Sequence, residues 1–154
     1  MLARILLLAL AVASAGQAQP DADKFKLGNR CMPVGLAVIV PGDEQQETLA
    51  ESAARTMLDV SGLYLSEETV VKLADAGLPA PMLIINVLDL GSMAIIRAKF
   101  ARYLTDPMDR TAGMAITWED VTVIDGRDFK SGVVELTLEF VSEYKRVNYE
   151  HCAD

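Results

Sequence analysis

The feature that most constrains the fold is the run over residues 34–40 (VGLAVIV), almost wholly apolar, rich in β-branched side chains and stopped by Pro41-Gly42. A run so short and without polar alternation fits a strand buried on both faces, and it predicts a central strand of a sheet. Helix signals follow at once. Asp43 stands at an N-cap with Gln46 three residues on, the spacing of a capping box, and Leu49, Ala53, Met57 and Val60 recur at helical spacing until Gly62.

The chain keeps alternating in this way. Residues 63–65 form a brief extended piece, Ser66 caps a shorter helix with Glu67 and Glu68 in its first turn, and Gly77 and Pro79 end it. Residues 81–90 (PMLIINVLDL) predict a strand, with Gly91-Ser92 as a two-residue hairpin turn into a returning strand over 93–104. In that strand Ile96, Ala98 and Phe100 share one face, and Arg97 and Lys99 share the other, wet one. A polar turn from Thr105-Asp106-Pro107 through Arg110 leads to a third long strand over 112–123, with Met114, Ile116 and Trp118 on one face. A bulge at Glu119-Asp120 would return Val121 and Val123 to a buried face.

Residues 131–147 carry two periods at once. Val134, Leu136, Leu138 and Phe140 alternate as in a strand, while Val133, Leu136, Phe140, Tyr144 and Val147 form a helical stripe with Glu135, Glu139 and Glu143 opposite. Length without Gly or Pro over 133–147 favours the helix, although the β-branched and aromatic content favours a strand. The resulting order is β-α-β-α-β-β-β-α, which predicts an α+β two-layer sandwich: a mixed sheet with helices on one face.

The first residues set the expected address. Arg4 precedes an apolar run over 5–13, and two small-residue cleavage patterns follow, Ala13-Ser14-Ala15 and Gly16-Gln17-Ala18, which is the layout of a secretory signal peptide. The run is too short to span a bilayer, and no cysteine stands at the cleavage point to carry a lipid. The expected division is therefore a signal peptide over 1–18, a flexible lead-in over 19–33 and one α/β domain over 34–154, periplasmic or secreted. A formal charge of −8 disfavours nucleic acid and anionic lipid surfaces as partners. Cys31 and Cys152, an even pair in an exported chain, are expected to form a disulfide that clamps the two ends of the domain.

Candidate chemistry is sparse. The single histidine, His151, sits beside Cys152 in the tail, where adjacent side chains point apart and make a poor Cys-His pair, and no GxSxG is present. Glu119 and Asp120 beside Trp118 are the best local acid-base candidates, because an aromatic neighbour can raise a carboxyl pKa and a tryptophan can stack a sugar. A core Trp118 flanked by bulge residues is the simpler reading. The turn Asp125-Gly126-Arg127-Asp128 offers oxygen ligands but lacks the spaced acids and closing glutamate of a calcium loop, so Asp128 or Ser131 reads as a helix cap. No metal or cofactor site is expected. Arg97, Lys99, Arg102 and Arg110 form a positive cluster against the acidic background, suited to an acidic partner or to guarding an open sheet face.

The segment ESAARTMLDVSGLYLSEE over residues 51–68, a helix leaving through Ser-Gly-Leu-Tyr into a short strand, resembles the amino-terminal domain of the Tol translocation β-propeller protein. Related curli-secretion and penicillin-binding-protein-activating envelope proteins share the likeness. Residues 105–118 (TDPMDRTAGMAITW) and 143–148 (EYKRVN) resemble small exported bacterial proteins of unknown function. The first resemblance implies a non-enzymatic envelope interaction domain and carries no functional residue over. The expected role is thus an exported binding or assembly module with a protein partner, and self-association through sheet edges is a further expectation. The alternative is a small extracytoplasmic hydrolase or glycan-active enzyme using Glu119, Asp120 or Asp128.

Overall fold

The computed structural model describes residues 32–105, 112–125 and 128–148. Four strands, β1 (Gly35–Ile39), β2 (Met82–Asp89), β3 (Met93–Thr105) and β4 (Ala112–Asp125), form one sheet in the order β1-β2-β3-β4. The pair β1/β2 is parallel, and the pairs β2/β3 and β3/β4 are antiparallel. With α1 (Glu44–Val60), α2 (Glu67–Asp75) and α3 (Phe129–Val147), this is the expected α+β sandwich on a mixed sheet. Residues 63–65 contribute less than a strand, a single parallel bridge in which Val34 donates to Leu63 O at 2.7 Å and accepts from Leu65 N at 2.9 Å.

Strand β1 is at the sheet edge, not at its centre as expected. Its apolarity on both faces has another cause. Leu36 and Val38 pack on the core under α1, whereas Gly35 points to the opposite side, where Val70 Cγ2 of α2 lies 2.8 Å from the place a Cβ would take. Two helices cover the two faces of an edge strand, and hydropathy alone cannot tell this from a central one.

Helix α1 begins at Asp43, whose side chain accepts from Gln46 N at 2.9 Å. The expected capping box does not close. Gln46 Nε2 turns instead to Asp89 Oδ2 at 3.1 Å, and Glu47 Oε2 accepts the N–H of Val40 at 3.2 Å. The buried stripe is also one residue out of phase with the expected one. Ala50, Ala53, Ala54 and Leu58 face inward, and Leu49 and Val60 are exposed. The helix stops where Gly62, at φ 71, lets Leu63 N reach back to Leu58 O at 2.8 Å, with both leucines buried.

Helix α3 resolves the ambiguous last segment. Val133, Leu136, Phe140 and Tyr144 are buried as the helical stripe requires, while Leu138, an inward residue of the strand reading, is exposed. Its start is set by close approach: a Cβ on buried Gly132 would stand 2.5 Å from Ile96 Cδ1 and 2.9 Å from Ile124 Cδ1. The absent side chain seats the first turn directly on β3 and β4. Further along, Phe140 sits 5.3 Å from Phe100, 5.7 Å from Trp118 and 5.5 Å from Tyr144, centroid to centroid. Tilted pairs at this spacing contribute about 0.5–1.5 kcal/mol each beyond their burial, which makes this cluster the main tie between helix and sheet.

The strand irregularity falls earlier than expected. Phe100 pairs with Trp118 and Ala101 with Ile116, so Thr117 is the extra residue and Glu119-Asp120 continue the regular ladder. Phase is therefore kept from Trp118 onward. Val121 and Val123 stay on the outer face and are exposed, and Ile116 and Met114 are exposed too.

Candidate functional site

The sheet face turned away from α1 and α3 holds the best candidate surface. Register places Arg97 and Lys99 of β3 there, between Ile84 and Asn86 of β2 and Glu119 and Val121 of β4. Arg97 Nε pairs with Glu119 Oε1 at 3.1 Å. Lys99 lies directly across the ladder from Glu119 but has no ion-pair partner among the described residues. Its charge is therefore uncommitted. A shallow groove of about 300 Å³ beside them is floored by Ile39, Leu88 and Ile95 and edged by Asn86, Arg97 and Lys99.

Much of the rest of this face is apolar, against the expectation of a wet face. Ile39, Leu88, Met93, Tyr103, Met114, Ile116, Val121 and Val123 are all exposed large side chains. By strand alternation and register they share this one face. Scattered exposed leucines and valines are ordinary, whereas a contiguous row across several strands marks an interaction surface.

The expected cluster of four cations does not assemble as a unit. Alternation along β3 puts Arg102, across from Ala115, on the opposite face from Arg97 and Lys99. Arg110 lies outside the described residues, as do Cys31, His151 and Cys152.

The carboxylates separate in the same way. Glu119 faces the open side with Arg97, while Asp120, its neighbour, is on the opposite face, near Glu139 of α3. Burial, followed by the charges of Asp120, Glu135 and Glu143, pushes the Glu139 carboxyl above its ordinary value. Asp128 serves α3, where it is the N-cap residue and accepts from Ser131 Oγ at 2.7 Å. Trp118 is buried against Phe140, so it stacks inside the core. Among the described residues no group of three or more His, Cys, Asp or Glu could hold a metal ion.

One arrangement had no signal in the sequence. Tyr144 Oη donates to Met32 O at 2.9 Å and accepts from Met32 N at 3.3 Å, tying the approach to β1 onto the last turns of α3. Burial raises this phenol to about 12.

The described residues thus define a small α+β sandwich with one covered sheet face and one open apolar face. A scan of protein-family models finds no match, and no curated protein matches the chain. Among solved structures, the chain is similar to the PelC dodecamer from Paraburkholderia phytofirmans, at 14% identity and a TM-score of 0.42 over 76% of this chain and 89% of that one. A point variant of the same PelC dodecamer gives 14% identity and a TM-score of 0.42 over 77% and 90%. Among the described residues no helix is long and apolar enough to cross a membrane.

Proposed function

We propose that this chain is an exported binding or assembly module of the bacterial envelope, periplasmic or secreted, that docks a protein partner on its open sheet face. One observation carries the reading: Leu88, Ile95 and Val123 align as an apolar row across β2, β3 and β4, on the same face as exposed Ile39, Val121, Ile116 and the cations Arg97 and Lys99. Burying such a row on a partner yields roughly 25 cal/mol per Å², and the Lys99 charge selects a partner that brings a carboxylate. The surface is anchored by paired strands, so it meets a partner without reordering.

Photo-crosslinking residues placed at Val123, at Ile116 and, as a control, at exposed Leu138 on α3 test this in intact cells. Adducts to a common protein are expected from Val123 and Ile116 and not from Leu138, and Lys99→Glu should diminish them several-fold. Adducts from Leu138 alone, or none from the sheet face, would refute the docking role.

A further inference from the structure

The free edge of β1 lies apart from the open face, at the end of the sheet order. Residues of β1 alternate in where their backbone points. Gly35 donates to Pro81 O at 2.9 Å, and the parallel register aims Gly35, Ala37 and Ile39 at β2. Val34, Leu36, Val38 and Val40 therefore aim their N–H and C=O groups outward. The two ends of this outward row are closed. Val34 is bridged by residues 63–65, and the Val40 N–H is taken by Glu47 Oε2. Between them, the N–H and C=O of Leu36 and Val38 have no hydrogen-bond partner among the described residues.

Those groups open on a groove of about 640 Å³. Glu51 and Arg55 of α1 form one wall, and Glu67, Val70 and Val71 of α2 form the other. Arg55 stacks over the Tyr64 ring at 4.8 Å and keeps its charge, and Glu68 is paired with Lys72, so Glu51 and Glu67 outnumber Arg55 and leave the groove's unpaired charges net negative. The groove is thus acidic at its rim and apolar toward α2.

We infer that this edge accepts an extended, basic and apolar segment of a partner protein by strand addition. Four unpaired backbone groups supply ladder bonds, Val70 and Val71 receive apolar side chains, and Glu51 and Glu67 receive basic ones. A second copy of this sheet fits poorly. The edge is recessed between two helices, and a facing β1 would arrive flanked by its own helices, whereas a single extended strand enters without obstruction.

A seven-residue random peptide display library selected against the purified mature chain, followed by amide hydrogen exchange with the winning synthetic peptides, tests the inference. Without peptide, the Leu36 and Val38 amides should exchange fast and the Ala37 amide slowly. Winning sequences should alternate apolar with basic residues and slow Leu36 and Val38 at least tenfold. Methylating alternate peptide nitrogens on the side facing β1 should weaken binding at least tenfold, as should Glu51→Lys with Glu67→Lys, two exposed positions whose exchange leaves the core untouched. The inference is overturned if Leu36 and Val38 are already protected in the free chain, if no peptide protects them, or if protection comes only with doubling of the protein's mass.

Discussion

Tyr144 ties together residues 112 apart in the chain, since its hydroxyl holds both backbone groups of Met32. Tyr144→Phe should leave the aromatic packing intact and cost about 1 kcal/mol, the net worth of a part-buried hydrogen bond, read as a lower urea midpoint at unchanged slope. The phenol also gives a pH signature. Its pKa rises from 10.0 to about 12 on folding, so the unfolded chain ionises first, and stability falls as pH climbs through that window. The phenylalanine variant should lack this fall. Glu139 works in the same direction at lower pH. Burial and its acidic neighbours raise its pKa, so the folded state prefers it neutral, and stability is lost as pH rises through the folded value. Glu139→Gln should therefore stabilise the chain at pH 7 by a few tenths of a kcal/mol, the scale of like charges four residues apart on a helix. The gain should vanish below the ordinary glutamate value, which urea midpoints measured from pH 4 to 7 would show.

At the scale of elements, caps and stops were legible while phase was not. Asp43, Ser66, Gly62 and Gly77 mark helix ends through local backbone chemistry, which needs no tertiary partner to operate. Which stripe of α1 faces inward is decided by how near α3 can come, and alanines at 50, 53 and 54 permit that approach although their hydropathy scarcely signals it. The sheet face posed a similar problem. Alternation put Arg97 and Lys99 together, but with apolar rows on both faces of β2 and β4 no single sequence says which row the helices take. The bulge was legible as a break in period around Trp118, and its position at Thr117 follows only from the pairing with β3. Gly132 tests how tightly elements meet. Gly132→Ala should destabilise by about 1–3 kcal/mol through crowding against Ile96 and Ile124. Ile96→Val removes the nearest methyl, Cδ1, so the double variant should be less destabilised than the sum of the two single changes, a coupling that chemical denaturation can measure.

The whole molecule has an asymmetry of support. Its core lies between the sheet and the two long helices, while the open face and the β1 edge lie outside it, so the proposed binding surfaces can be altered without touching the core. The Met32–Tyr144 contact adds a closure on the core side. It brings together the two stretches of chain that run on to Cys31 and to Cys152, one residue before Met32 and eight after Tyr144. A disulfide between these cysteines, which lie outside the described residues, is expected from their even number in a chain with a signal-peptide layout. The loop it closes is about 120 residues, for which chain entropy gives up to about 4–5 kcal/mol of stabilisation. The chain isolated under oxidising conditions should weigh about 2 Da less than its reduced form, by the two hydrogens lost in the bond. Reduction should lower the urea midpoint, and Cys31→Ser with Cys152→Ser should reproduce the reduced midpoint and be insensitive to reductant. Two free thiols in the purified protein, detected by alkylation before any reductant is added, would show that the Tyr144 contact alone secures this end of the fold.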